Sequence, residues 1–556
     1  MTAAATLLYH PEAYSTKGPK LMGRHMAGES FLRGWLMHAA QAPWSFQLME
    51  AEHRRSLEQQ LAPWLPKGAQ VELHQAQSPQ SLARSGALFR PGPGLASGAH
   101  HRGWLGASHH SLVGITHTLS SQLAMDEVCS LVSADVQDWD ALICTSRVAR
   151  EVVQALLEQQ EEQLRDRLGA TRFTRLQLPI IPLGVHTQDF QFTEATRAQS
   201  RQALGLEPSD VAVLFAGRLS FHAKAHPLVL YQALHRAQRR LPHHRLVLLE
   251  FGQFPNQAIA NAFQAAASHA APGLRVMHLD GKSDQAWTRA WSAADLFCSL
   301  SDNIQETFGI TPVEAMAAGL PVIASDWNGY KDTVVHGEVG LRVPSYAPAP
   351  GLGQDLANRH AWGMDNYDYY CGHVAAFTVI DPQALEDALV ALAETPDTRL
   401  RLGVQARLRA QSHYDWSVII PQYLALFHEL SERRRGAGTK TPSSPAALDP
   451  YALFRSYPTE AWGPETELVL GPVPAQELPS LHALAMVSFA QAVMPALEDA
   501  KQLLEGLSQE PQTLAQLTAQ APAEHRARRM RDLLWLAKLG LVRRRASRKG
   551  VQPLQG

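Results

Sequence analysis

The stretch Glu306–Gly329, ETFGITPVEAMAAGLPVIASDWNG, places Glu306 and Glu314 eight positions apart, with Phe308-Gly309-Ile310 just after the first. The spacing predicts a helix from about Thr311 to Ala318 that carries Glu314 inward and starts beside Gly309. Free N–H groups at a helix start, next to a glycine that lets a ligand come close, form a natural cradle for a diphosphate. A carboxylate one turn into that helix can accept hydrogen bonds from the vicinal hydroxyls of a sugar, as the acid of a dinucleotide site holds a ribose. The apolar run Pro321–Ala324 that follows reads as a buried parallel strand.

Outward from this stretch, the same rhythm of short apolar runs and longer amphipathic segments fills the first 430 residues, the mark of stacked βα units. Strands are expected at Thr6–His10, Ser45–Met49, Ala87–Arg90, Leu112–Thr116, Ala141–Thr145 and Leu178–Pro182. A second set is expected at Val211–Ala216, Leu246–Phe251, Arg275–Leu279, Leu296–Leu300, Pro321–Ala324 and Gly340–Val343. A helix is expected from near Ser30 through His38. The Pro- and Gly-bearing Ile181–Phe190 reads as the connection between the halves, with the boundary near residue 190. Tyr346–Gly372, rich in Pro, Gly and aromatics, reads as an inserted loop with some packing of its own. Gly436–Pro450 has linker composition.

Behind the first strand of the second half, FAGRLSFHAKAHP brings Arg218 after Gly217 and Lys224 six residues later. Two cations at the C-terminal end of a parallel strand stand where ligands bind in open α/β sheets, and can neutralise a leaving diphosphate. In the first half, SLVGITHTLSS puts His117 at a strand end, a position suited to a sugar hydroxyl or to an acceptor proton.

These motifs resemble the family-4 glycosyltransferases, whose donor site reads E-x7-E with F-G-[IL] after the first acid and E-A-M-A-x-G-x-P-V-[IV]-A-[ST] around the second. The resemblance covers about residues 1–430. It implies an α/β protein of GT-B fold, two Rossmann-like domains facing across a cleft, here 1–190 for the acceptor and 191–435 for a nucleotide-diphosphate sugar. It implies a retaining hexosyl transfer in which Glu306, His117, Arg218 and Lys224 are catalytic. Glu314 would hold the ribose hydroxyls, and the backbone of Phe308, Gly309 and Ile310 the phosphates and sugar. Gly23 and Arg24 of LMGRHMAGES would stand in the family's glycine-bearing loop near donor phosphate, although the usual Gly-Gly pair is absent. Ala225 replaces the glycine that usually follows the lysine. Thr145 and the segment around Trp416 match structural elements of the family.

After the linker, residues 451–556 change texture: a long apolar helical pattern at Leu481–Leu507, short helices at Thr513–Gln520 and His525–Leu539, then a strand at Gly540–Val542. That order resembles a mainly α, winged-helix-like accessory module, expected to serve a homodimer or a protein partner. Between Glu524 and Gly550 ten Lys and Arg face two acids, a local charge of +8 that leaves −10 for the rest of a chain with net charge −2. A solvated basic face on a docking module is the favoured reading over nucleic acid. Two rival functions remain: another GT-B nucleotide-sugar enzyme, such as an epimerase or glucan synthase, and a sugar-nucleotide-sensing regulator that binds DNA.

Composition excludes much else. The chain of 556 residues has Lys+Arg 50 against Asp+Glu 52, so no overall field favours an anionic partner. Its four cysteines form no C-x-x-C pair, which speaks against a disulfide framework or zinc. P-loop, zincin and hydrolase-elbow motifs are missing. No cofactor and no metal are expected, DNYD at Asp365–Asp368 reading as a loop-capping cluster. Without a signal-like N-terminus or a long apolar run, a cytoplasmic protein with no membrane span is expected.

Overall fold

A computed structural model describes residues 5–16, 23–39, 43–76, 81–438, 449–519 and 521–545. The chain divides into two compact units, residues 1–447 and 448–556. Within the first unit lie two parallel six-stranded sheets. One contains β1 (Thr6–Tyr9), β2 (Trp44–Leu48), β3 (Val71–Gln75), β4 (Ala87–Phe89), β5 (Ser111–Ile115) and β6 (Ala141–Ile143), in the order β3-β2-β1-β4-β5-β6. The other contains β7 (Asp210–Ala216), β8 (Arg245–Gly252), β9 (Arg275–Asp280), β10 (Leu296–Ser299), β11 (Val322–Ser325) and β12 (Gly340–Val343), in the order β12-β11-β10-β7-β8-β9. Counted from their own first strands, the two orders are the same. Both reverse direction beside the first strand, which opens a crevice at the strand C-termini between β1 and β4 and between β7 and β10. Strands β1, β2, β5 and β7 are buried end to end, as apolar runs covered on both faces must be.

The expected strand at Leu178–Pro182 does not form. Pro179 and Pro182 have no N–H to give to a ladder, so the segment touches the sheet through the single bridges Ala141↔Gln177 and Cys144↔Ile180. The sixth strand is instead Val71–Gln75, whose polar, half-buried sequence VELHQ suits an edge and lacks the apolar run that marks the others. The helix expected from Ser30 begins earlier, spanning Gly23–His38.

Helix Trp416–Gly436 packs into the core of the first sheet, its Trp416, Ile420, Tyr423 and Phe427 buried with Phe31, Trp35, Phe46 and Phe89. Asp415 caps that helix at Ser417 N, 2.9 Å, and accepts from Thr187 Oγ1 at 2.6 Å. The chain therefore crosses twice at one place between the halves. The segment after β12 is more ordered than a loop: Ser345–Tyr346 pairs antiparallel with Val379–Ile380 and closes off helices Gln354–Ala361 and Tyr367–Ala375. Asp365 joins these helices by accepting from Arg359 at 2.8 Å and meeting His373 at 3.0 Å, and the Arg359 bond holds its carboxyl down at about 2.

The second unit has its own core, built from Leu468, Leu478, Leu503, Leu504, Leu507, Leu514, Leu533 and Leu536. Its three-stranded antiparallel sheet runs Gln512–Thr513, Glu467–Leu470, Val542–Arg544. Leu514–Ala519 and Arg526–Lys538 are helices. The long helix expected over Leu481–Leu507 is broken into Leu478–Ala483, Ala485–Ser488 and Leu497–Leu507. Pro495 disfavours the helical conformation at the residue before it, and Leu484 and Ala496 are extended. Of the expected linker, residues 439–448 lie outside the described residues.

Candidate active site

The crevice between β7 and β10 receives the second half's charged residues from two loops. From β7, the chain turns at Gly217, whose φ of +146° suits glycine, and delivers Arg218 and then Lys224. From β10, the loop through Asp302 and Gln305 delivers Glu306. The Lys224 ammonium pairs with the Glu306 carboxylate, each side chain 17% exposed. Burial works against charge on both, but their mutual attraction outweighs it, so the lysine pKa is raised and the glutamate pKa lowered. Both stay ionised. Glu306 also accepts from Gly309 N at 3.0 Å, and the Phe308 N–H adds to the stabilisation of its charge. The Arg218 guanidinium donates to Ala223 O at 3.0 Å and to the Gln305 side chain.

Helix Ile310–Ala318 starts at Gly309, which has φ +79°. A Cβ there would come within 1.9 Å of the Tyr330 ring, so both conformation and space require glycine. Tyr330 is fully buried and fixed by Ser299 Oγ at 2.8 Å. Among the described residues no side chain caps this helix start, and the buried Thr311 hydroxyl has no hydrogen-bond partner there. The first-turn N–H groups and that hydroxyl form a donor cluster beside two cations. Such a place attracts a diphosphate. One turn on, burial lifts the Glu314 carboxyl to about 7, with Lys224 pulling the other way.

Thus Arg218, Lys224, Glu306, Gly309 and the helix bearing Glu314 come together. Phe308 faces the core against Tyr414, and Ile310 packs at the edge of the same cluster. His117, after β5, presents its carbonyl to Thr307 Oγ1 at 2.6 Å, and the residue helps line a small cavity with Tyr14, Phe31, Phe89 and Tyr423. Gly23 is exposed at the start of helix Gly23–His38, joined to this cluster by no hydrogen bond or ion pair among the described residues. The side chain of Arg24 lies outside the described residues.

Sequence reasoning missed several residues. Thr307, between the two motif positions Glu306 and Phe308, binds the first half twice: through His117 O, and through its own carbonyl, which accepts from Ser146 Oγ at 2.7 Å. Asp332 accepts from the Arg147 amide at 2.7 Å and side chain at 2.6 Å. Asp302 is buried, accepts from His226 N at 3.3 Å with one oxygen, and has a second oxygen without a partner among the described residues; burial lifts it to about 7. Thr307 stands between two motif residues, while Asp302 lies four positions before Glu306 and Asp332 three after Gly329, so only nearness in sequence could have flagged them.

Residues 196–350 match the family described as Glycosyl transferases group 1. A phosphatidyl-myo-inositol mannosyltransferase of Mycobacterium tuberculosis is 30% identical over 261 residues, covering 47% of this chain and 55% of the relative. A D-inositol 3-phosphate glycosyltransferase of Corynebacterium glutamicum is 27% identical over 232 residues, 42% of this chain and 46% of the relative. The chain spans about half the length of these curated relatives. Among solved structures, Anabaena HepE in complex with UDP and glucose is similar with a TM-score of 0.51 and 14% identity, over 77% of this chain and 100% of that chain. The two sheets are the Rossmann-like halves of a GT-B fold, and residues 196–350 are a group 1 glycosyltransferase domain. Among the described residues no helix is long and apolar enough to cross a membrane.

Proposed function

We propose that this chain is a retaining glycosyltransferase that moves a sugar from a nucleoside diphosphate to an acceptor hydroxyl. The observation that carries the reading is the junction of Arg218, the Lys224–Glu306 pair and the uncapped helix start at Gly309, all at the crevice beside β7. The match of residues 196–350 to group 1 transferases and the relationship to two named glycosyltransferases support it. In this reading the diphosphate lies on the helix start, Glu314 accepts from the ribose hydroxyls, and Glu306 and His117 face the sugar. As the glycosidic bond breaks, negative charge grows on the leaving phosphate. Arg218, Lys224 and the helix N–H groups stabilise it there, and its oxygen takes the proton of the incoming hydroxyl on the same face. No carboxylate need attack the sugar, and Glu306 is held by Lys224 and Gly309 in a supporting place.

Thermal-shift screening of the intact chain against UDP, GDP, ADP and their sugar conjugates tests the reading, UDP first because HepE was solved with UDP and glucose. Stabilisation by one nucleotide and its sugar, followed by release of that nucleotide from the sugar conjugate, is expected. No stabilisation by any of them would overturn it.

Residues 449–545 are assigned to a second copy or a protein partner, through a winged-helix-like arrangement. The support is its separate core and the exposed Met486, Phe489 and Val493, 79%, 82% and 73% accessible. Deleting residues 440–556 is expected to leave nucleotide release measurable while changing the oligomeric state seen by light scattering. An insoluble or donor-blind product would show that the segment completes the enzyme's own fold.

A further inference from the structure

Three helices of the first unit line one groove of about 570 Å3. Each contributes positions i, i+3, i+4 and i+7: from Gln122 to Cys129 in helix Gln122–Ser130, from Leu156 to Gln163 in helix Arg147–Leu168, and from Gln354 to Ala361 in helix Gln354–Ala361. That spacing is one face of a helix. Where helices pack together such a face is apolar, but six of these twelve residues are carboxamides, Gln122, Gln159, Gln160, Gln163, Gln354 and Asn358. Among the described residues the lining holds no Lys or Arg, and Asp126 is its one acid. Helix Arg147–Leu168 carries Glu158, Glu162 and Arg165, yet none of them lines the groove.

The lining is partly ordered in advance. Gln122 Nε2 donates to Asp126 Oδ1 at 2.8 Å and Gln354 Nε2 to Asn358 Oδ1 at 3.1 Å, which leaves both glutamine carbonyls and the Asn358 NH2 open to a ligand. Tyr370 and His360 also line the groove, their rings stacked with centroids 4.3 Å apart and planes 2° from parallel. An amide offers donors and acceptors in one plane, and a hydroxyl likewise gives and takes a hydrogen bond. With no cation to meet a phosphate, the groove does not suit a nucleotide or a phospholipid headgroup. A peptide is met by a strand edge or by an apolar trough for a helix, and this groove of amide-bearing helices is neither. Neutral sugars fit it, with hydroxyls for the amides and C–H faces for Tyr370, Met125 and Leu156. The volume lies in the range of small-molecule sites, about 300–1,000 Å3. From Gln122 to Cys129 the helix rises about 10 Å, the length of about two sugar rings.

We propose that this groove binds a neutral oligosaccharide, the part of the acceptor beyond the hydroxyl that receives the new sugar. The acceptor role rests on the reading of the chain as a transferase, whereas the sugar site does not. Position supports the role. The Gln122 end of the groove follows directly on the loop after His117, and Tyr367, on the helix that bears Tyr370, meets that loop at Thr118 Oγ1, 2.8 Å, and Ser120 Oγ, 3.0 Å. A chain lying along the groove therefore has one end beside His117.

Ligand-observed NMR of the full chain with maltotetraose, cellotetraose, α-1,6-mannotetraose and chitotetraose tests the site. At least one should bind with a Kd of about 1 mM or tighter. The double variant Gln159→Ala, Gln163→Ala keeps good helix formers and should weaken that binding about 10-fold, as the loss of two amide hydrogen bonds implies. Ala357→Trp keeps every amide but fills the groove, and should abolish binding. Both should melt with the parent, and saturating UDP should not displace the sugar. Binding of none of the four, parental binding in both variants, or displacement by UDP would each overturn the proposal. With the donor found by thermal shift, the bound tetrasaccharide should exceed its monosaccharide as acceptor about 10-fold in kcat/KM, an advantage the double variant loses at unchanged donor KM. A bound tetrasaccharide with no such advantage overturns the acceptor role. Sugar binding by a chain that releases no nucleotide upholds the site and sinks the transferase reading alone.

Discussion

Lys224→Ala is expected to lower nucleotide-sugar turnover about 100-fold at saturating donor, equivalent to about 2.7 kcal/mol of transition-state stabilisation. The lysine stands after β7 with its ammonium on Glu306, at the crevice where the diphosphate is placed. Binding of the intact donor uses its charge partly, and the leaving group, which gains charge as the sugar departs, uses it fully. The rate should therefore fall more than affinity does, and Arg218→Ala should follow the same pattern. The truncation has a second effect. It leaves Glu306 charged and mostly buried with only backbone N–H groups to compensate, at a cost on the order of 2 kcal/mol in stability. Adding Glu306→Gln to Lys224→Ala should restore the melting temperature without restoring the rate. That separates the clamp from the fold. Near-parental turnover in Lys224→Ala under donor saturation would remove the clamp from the mechanism.

Much of this arrangement is legible in the sequence because it rests on local strings. Buried parallel strands leave continuous apolar runs, and the inner strands β7, β10 and β11 of the second sheet lie where such runs occur. Gly309 and the helix after it are likewise local, since a positive φ and a helix start need only their own residues. Val71–Gln75 escapes because an edge strand exposed to water carries no such run. Leu178–Pro182 misleads because its apolar composition says nothing of the missing proline N–H groups. Helix Trp416–Gly436 is readable as a helix, but its place in the first core depends on a chain crossing of residues some 230 positions apart, Thr187 and Asp415. Tyr367 is the extreme case. Its partners Thr118 and Ser120 come from another loop, and nothing in DNYDYY shows that one tyrosine turns toward them.

Glu314→Ala is expected to weaken donor binding by about 1.5–3 kcal/mol, roughly 10- to 150-fold, with the fold intact. Glu314 lies one turn into helix Ile310–Ala318, and burial lifts its carboxyl from the usual 4.5 to about 7. Because its folded-state pKa is raised, the chain without nucleotide loses stability as pH rises from about 4.5 to about 7, and the cost is complete above that. Ribose hydroxyls donating to the ionised carboxylate offset the cost, since such bonds favour the charged form. The pKa of Glu314 must then be lower in the complex than in the free protein. Binding should accordingly release a proton near pH 7, and affinity should increase as pH rises through about 7 and level off above it. Calorimetry of nucleotide binding between about pH 6 and 8, in buffers of different ionisation heat, measures that proton directly. Glu314→Gln keeps the shape and cannot titrate, so its affinity should be weak and flat across the same range. A parental affinity in either variant, or binding with no proton release around pH 7, would place the ribose elsewhere.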